Sequence, residues 1–230
     1  MKLLSVGNNA KTIKSDKGGE YLTAILYLAP ADIVPGINVC PMAEKAGCKK
    51  ACLYSAGRGA FTNVQQARIR KTELFRDDPI GFVDQLAVDI VKAKKKAEKL
   101  GVKLAVRLNG TSDIAWENKH GSNGLSLMDT FPEIQFYDYT KLPGRKVPEN
   151  YHLTVSYSEA SESYAKKVRL YSHNWAVVFK DSLPAKFHGR KVINGDRDDL
   201  RFLDPASVVV GLVAKGKAKQ DNTGFVIARG

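Results

Sequence analysis

Three cysteines, Cys40, Cys48 and Cys52, fall within thirteen consecutive positions, and the chain has no others. They stand in the stretch Cys40-Pro-Met-Ala-Glu-Lys-Ala-Gly-Cys48-Lys-Lys-Ala-Cys52, a C-x7-C-x3-C spacing. Disulfide frameworks use even numbers of cysteines spread along a secreted chain, so this cluster points elsewhere. Thiolates are soft ligands that select zinc, cuprous copper and iron–sulfur clusters. Three of them on one loop can each hold one iron of a [4Fe-4S] cluster, leaving the fourth iron open to solvent, substrate or another side chain. Zinc, held by the three cysteines and a histidine or water, is the alternative cofactor. Reduced or redox-active thiols are the third reading. Of the four histidines, His120, His152, His173 and His188, none stands at zinc-finger spacing from the cysteines. His120, in the loop after the second strand, is the one singled out as a candidate fourth ligand.

The loop that carries these residues must fold back on itself, and Pro41 and Gly47 allow that. Cys48 and Cys52, four apart, would share a face if that piece were helical. The charge around them is distinctive. The whole chain carries +12, and the segment from Cys40 to Arg76 alone carries +6, with eight Lys and Arg against Glu44 and Glu73. Such a field would offset an anionic thiolate–sulfide assembly. It also suggests an anionic partner, either a small molecule such as a nucleotide or phosphorylated metabolite, or a nucleic acid.

The elements that must position the loop can be read from periodicity. Tyr21–Leu28 is a strand candidate apolar on both faces, as a buried strand should be. Residues 1–20 before it read as an irregular or hairpin-like lead-in ending in the turn Lys17-Gly18-Gly19. A metal-binding loop over residues 29–60 follows the strand directly. Thr62 with Gln65 reads as a capping box opening a helix to Phe75. Asp77-Asp78-Pro79 supplies the cap and first-turn proline of a second helix reaching about Lys99, stopped by Gly101. Its expected buried stripe is Val83, Leu86, Ile90 and Val91. The lysines Lys92, Lys94, Lys95 and Lys96 read as a solvated face suited to the negative helix end rather than as a nucleic-acid patch.

Short apolar strands then recur, each ending in polar residues. They are Lys103–Leu108, Ile134–Tyr137, His152–Val155, Trp175–Phe179, Lys191–Ile193 and Val208–Val213. Amphipathic or loop-like segments such as Glu162–Val168 separate them. The alternation predicts one α/β domain over residues 1–230, built as a partial or irregular (β/α) TIM-like barrel, because some crossovers are too short for a full helix. Val208–Ala214 and Phe225–Ala228 could alternatively form a hairpin. In such a barrel the chemistry belongs at the C-terminal strand ends. That rule picks out Asn109, Ser112, Asp113, Tyr139, Ser156, Glu159, Lys180, Asn194 and Asp196 as candidate ligand-binding residues. Arg58, between Gly57 and Gly59, joins them as a possible contact to an anionic ligand. Turn chemistry is the competing explanation, above all at Asn109-Gly110 and Asn194-Gly195.

The position of the cysteine loop, just after the first core strand of a barrel-like domain, resembles the radical S-adenosylmethionine (SAM) superfamily. That resemblance implies that Cys40, Cys48 and Cys52 match the family's three cluster cysteines and that the open iron could bind SAM. The spacing is wider than the family's usual C-x3-C-x2-C, Ala51 stands where an aromatic residue usually precedes the last cysteine, and the glycine-rich SAM-binding strand has no match. The chain also resembles a bacteriophage protein family with a similar three-cysteine loop, which implies the cytoplasm of the host. A GxSxG elbow, a P-loop, a GxGxxG fingerprint and a compact aromatic–basic strip are all absent from the sequence. The sequence lacks the run of roughly 20 apolar residues that a membrane span needs, and its first residues are too short in apolar content for a secretory signal. The expectation is therefore a cytoplasmic iron–sulfur protein with an open iron, possible radical-SAM-like enzyme chemistry and an unassigned substrate. A basic nucleic-acid-binding module braced by zinc or a cluster is the alternative.

Overall fold

A computed structural model describes residues 1–7, 19–52, 54 and 57–228. Most of the expected lead-in turn, including Lys17 and Gly18, lies outside the described residues. Strand β1 (Leu4–Val6) pairs antiparallel with β2 (Tyr21–Leu26). The long helices α1 (Thr62–Asp77) and α2 (Pro79–Lys99) then cross to β3 (Lys103–Arg107). A four-residue helix α3 (Leu127–Thr130) precedes β4 (Gln135–Thr140) and β5 (Tyr151–Ser156). Helix α4 (Glu162–Arg169) leads to β6 (Trp175–Phe179), and β7 (Lys186–Phe187), β8 (Arg190–Asn194), β9 (Val209–Val213) and β10 (Val226–Ile227) complete the chain.

These strands form one sheet in the order β1-β2-β3-β4-β5-β6-β9-β8-β7, with the run from β2 to β8 parallel. β10 pairs with β6 in parallel at Val178 and Phe179, beyond the point where β5 leaves it. The alternative of a terminal hairpin is therefore overturned: β9 and β10 both run parallel to β6 and do not pair with each other. Among the described residues the two ends of the sheet, β1 and β7, do not pair. The segment after β8 nevertheless reaches across to the first strands. Phe202 packs edge-on against Tyr21 at 5.1 Å, and Leu200 lies buried against Ala105 and Tyr137.

The other face of β2, β3 and β4 is covered by α1 and α2. Leu22, Ala24, Leu26, Leu104, Val106 and Phe136 alternate along their strands onto this core, where Phe75, Phe82 and Trp116 form an aromatic cluster. Each large side chain buried here contributes about 1.5–3 kcal/mol. The buried residues of α2 are Phe82, Val83, Leu86, Asp89, Ile90, Ala93 and Ala97. Val91, expected in the stripe, is 40% exposed. At 3.6 residues per turn the position after Ile90 on that face is Ala93, and Val91 is rotated out of it.

The two helix starts differ from each other. Asp78 caps α2 as expected, its Oδ1 accepting from the Gly81 N–H at 2.9 Å with Pro79 at the first helical position. The expected Thr62 capping box is not formed. Phe61 is the cap residue without a side-chain bond, and Gln65 Nε2 instead donates to the Gly59 carbonyl at 3.0 Å. A true capping box occurs at Ser126 and Asp129.

Strand β1 is held on by charge rather than by length. The buried Asp89 carboxylate accepts from the N–H groups of Leu3 (2.6 Å) and Leu4 (3.2 Å), and Lys71 Nζ donates to the Leu3 carbonyl at 2.5 Å. Burial pushes the Lys71 ammonium down to about 8, against the pull of Asp89. The unfolded chain keeps this proton to about pH 10.4. Between these values the unfolded state binds more protons, so stability rises with pH across that window. Wild-type protein should gain on the order of 3 kcal/mol from this group between about pH 8 and 10.4. A Lys71→Met variant should lack that rise in urea unfolding measured across the same range.

Candidate functional site

Strands β3, β4, β5, β6 and β9 and the turn after β8 line one cavity of about 360 Å³, which the loop after β2 also lines. Ligand sites of parallel sheets form at the C-terminal strand ends, because the loops that follow the strands converge at that edge. Cys40, Cys48 and Cys52 all line it, as do the expected Asn109, Ser112, Asp113, Tyr139, Ser156 and Asp196. Arg58, Glu159, Lys180 and Asn194 do not line it. Arg58 lies exposed in the 3-10 turn Gly57–Ala60. Glu159 accepts from Tyr157 Oη at 3.3 Å beside His188, and Asn194 Oδ1 accepts from the Asp196 N–H at 2.9 Å, which is the turn chemistry its sequence suggested. Lys180 is exposed just after β6, and His120 is exposed in an isolated bridge to Ser126.

The cysteine loop, residues 41–51, is a series of turns rather than a helix. It stays in place because three of its segments sink into three separate clusters. Cys40 packs on the core under α1 and α2. Met42, Ala46 and Cys48 pack with Tyr157, Tyr164 and Val177, and Ala51 with Ala214, Ala218 and Val226. Gly47, at φ +71°, makes the reversal between them, and a Cβ there would come within 2.6 Å of Ala160 and Thr223. Ser158 Oγ donates to the Ala46 carbonyl at 2.8 Å and the Asp113 N–H to the Val39 carbonyl at 2.8 Å, tying the middle and the start of the loop to strand-end loops.

The thiols are unbridged and partly exposed. Cys40 Sγ lies 3.7 Å from the Thr111 carbonyl and Cys48 Sγ 3.6 Å from that of Ala43. Burial pushes the Cys40 thiol up to about 12 and also raises Cys52. The thiols are near enough for the charge of Cys52 to act on Cys40 and that of Cys48 on Cys52. Burial therefore favours the neutral form of Cys40 and Cys52, and a metal would have to hold them as thiolates. Lys141, at the end of β4, faces the same three sulfurs. Burial works against its ammonium, but Cys48, Asp113, Tyr164 and Cys40 together outweigh burial and hold its pKa above the usual lysine value.

Opposite the thiols the wall is built from ion pairs. Arg107 Nη1 donates to Asp199 at 2.8 Å, Arg201 Nη2 to Asp198 at 2.7 Å and Lys215 Nζ to Asp196. The middle of the cavity is apolar, with Ala176, Val178, Leu212 and Phe225. Arg107, Lys141, Asp198 and Asp199 were not among the residues expected from sequence. Arg107 was legible as a charge inside the apolar run Lys103–Leu108, a position that demands a buried partner. Nothing in the sequence names Asp199, 92 positions away, as that partner.

Asn109 lines the cavity with its side chain fully engaged. Its Oδ1 accepts from Ser112 Oγ (2.8 Å), Ile114 N (2.9 Å) and Trp116 Nε1 (3.1 Å), while Nδ2 donates to the Ile114 carbonyl (2.9 Å) and Asp138 (3.2 Å). Asp113 likewise accepts from Thr140 Oγ1 and the Lys141 N–H, both at 2.8 Å. These two residues shape the wall.

The residues fit an iron–sulfur cluster on two counts. The chain's three thiols line one cavity, and Arg68, over the Tyr54 ring behind the loop, has buried Nε and Nη1 atoms with no hydrogen-bond partner among the described residues. Among the described residues no three His, Cys, Asp or Glu side chains stand close enough together to hold a single metal ion as arranged. Cysteines on separate corners of a four-iron cube stand farther apart than ligands of one ion.

The fold and site define an α/β protein with a three-thiol cavity at the C-terminal edge of a largely parallel sheet. The family model for gene product 88, a family of bacteriophage gene products, matches residues 2–229, and the chain belongs to that family. No curated protein and no solved structure matches the chain. Among the described residues no helix is long and apolar enough to cross a membrane.

Two outcomes check this geometry. Asn109→Ala should cost about 3 kcal/mol or more in chemical unfolding, because it strands buried partners at Asp138, Ile114 and Trp116. In metal-free protein, alkylation of Cys40 by iodoacetamide should be on the order of a thousandfold slower at pH 8 than that of a free thiol, rising with pH toward about 12. Peptide mass spectrometry over time reads both the site and the rate.

Proposed function

We propose that this protein binds a [4Fe-4S] cluster through Cys40, Cys48 and Cys52, leaving one iron open toward the cavity. The observation that carries the reading is the convergence of the chain's only three thiols on a single cavity at the C-terminal strand ends. The cluster would supply a Lewis-acidic or electron-transferring metal, and radical chemistry with SAM is the enzyme reading that the resemblance suggests. The cavity would take a small molecule at the open iron, with Lys141 toward an anionic group and the apolar middle toward its body. We read the sheet as the wall of a partial barrel. The support is the near-sequential strand order and the contacts of Asp199 and Phe202 with Arg107 and Tyr21 across it. A cluster of this kind belongs in the reducing cytoplasm, here that of the phage's host.

The alternative of a nucleic-acid module has less support. Part of the basic field is spent locally, Lys49 on Asp32 and Glu44 (both 2.9 Å) and Arg76 on Asp77 (2.7 Å).

Anaerobic purification with measurement of iron, acid-labile sulfide and zinc per chain tests the proposal. About four iron and four sulfide per chain, lost in Cys48→Ala while the fold persists by circular dichroism, is the expected result. Stoichiometric zinc without sulfide would replace the cluster by a structural ion, and neither metal would leave reduced thiols.

A further inference from the structure

We infer that Lys141 and Arg68 are a matched pair of positive charges flanking the thiol loop, placed to stabilise the reduced form of the cluster. The inference rests on the cluster reading above.

The other charged side chains of the cavity wall are paired. Arg107 meets Asp199 at 2.8 Å, Asp113 meets Arg145 at 3.8 Å, Asp198 meets Arg201 at 2.7 Å and Asp196 meets Lys215. Lys141 is the exception: among the described residues its ammonium makes neither an ion pair nor a hydrogen bond, although its backbone N–H binds Asp113. Behind the loop, Arg68 lies over the rings of Tyr27 (5.0 Å) and Tyr54 (5.5 Å). The ring faces stabilise the cation, but Nε and Nη1 are buried without a hydrogen-bond partner. Asp113 acts on the Lys141 charge from the same wall, and the thiols add to it only as thiolates. Burying a cation without an ion-pair partner costs free energy, so two such cations beside one loop favour an anion there.

The two cations reach the thiols from different sides. Lys141 lines the cavity with all three cysteines and its charge acts on each of them, while Arg68, over the Tyr54 ring just beyond Cys52, acts on Cys52. A four-iron core with three thiolates carries one net negative charge when oxidised and two when reduced. Two fixed positive charges therefore balance the reduced state, and each should raise the reduction potential, because an added electron is stabilised by a nearby cation. Lys141 and Arg68 are positioning residues: they hold no iron and act through the field on the group that the cysteines hold.

A redox titration of the full-length, anaerobically purified chain, followed by the electron paramagnetic resonance signal of the reduced cluster, tests this. Lys141→Met and Arg68→Leu should each move the equilibrium toward the oxidised form by about tenfold, which is about 59 mV for a one-electron couple. Lys141→Arg and Arg68→Lys should stay within about twofold of wild type, a difference that purely structural roles would not produce. Neutral variants that titrate with wild type would overturn the inference. Where a neutral variant fails to retain iron, its charge-retaining partner decides: wild-type potential supports the inference, and a comparable shift overturns it. Absence of iron and sulfide from the wild type would instead remove the cluster reading itself, and this inference with it.

Discussion

The site hangs on one buried carboxylate. Asp138, on β4 and 0% exposed, accepts from the Asn109 N–H at 2.8 Å, Asn109 Nδ2 at 3.2 Å and Tyr151 Oη at 2.8 Å, with Arg107 Nε at 3.7 Å. Burial pushes its pKa up toward about 7, while Arg107, Tyr151 and the Asn109 backbone pull it down. In a low-dielectric interior such a group persists only if its lone pairs are taken. Here the partners come from β3, from the loop after it and from β5, so satisfying the carboxylate also fixes β3, β4 and β5 relative to one another. Asn109 passes the constraint to Ile114 and Trp116, and through Trp116 to the aromatic cluster with Phe75 and Phe82.

From that frame the cysteine loop receives its position. The loop has no regular hydrogen-bonded secondary structure to hold it, so its order comes from burial of Cys40, Ala46 and Ala51 in three clusters and from bonds to Asp113 and Ser158. Three anchors spaced along a short loop splay it across the strand ends. The splay leaves all three cysteines lining one cavity. The charges opposite are paired, Arg107 with Asp199, Arg201 with Asp198 and Lys215 with Asp196.

Much of the architecture was legible from periodicity. The strand at Tyr21, the two long helices and the recurring parallel strands fall close to their expected places, because apolar alternation and helical stripes report directly on burial. The failures are local and have physical causes. The Thr62–Gln65 signature was satisfied differently because the preceding tight turn offered Gln65 the Gly59 carbonyl. The hairpin of β7 and β8 was missed because its two-residue loop, His188 at φ +45° and Gly189 at φ +77°, uses a histidine where asparagine or aspartate is the usual signal. The last two strands could not be told from a hairpin because β10 has only two paired residues, and its partner is chosen by sheet geometry rather than by a turn.

Residue type and spacing determine the chemistry of the loop: three thiols, a reversal at Gly47 and a local excess of positive charge are properties of the chain before it folds. Which other groups share the cavity is a different matter. Asn109 and Asp113, the densest cluster in the sequence, prove to be wall-builders whose polar atoms bond protein partners. Arg107 and Asp199 become partners because the segment after β8 reaches back over β3, while Lys141 comes in from the end of β4 and Arg68 from α1. A side chain's own surroundings follow from its neighbours along the strand. The partner that compensates its charge comes from whichever distant segment the sheet order brings within a few ångströms, and only tertiary packing sets that distance.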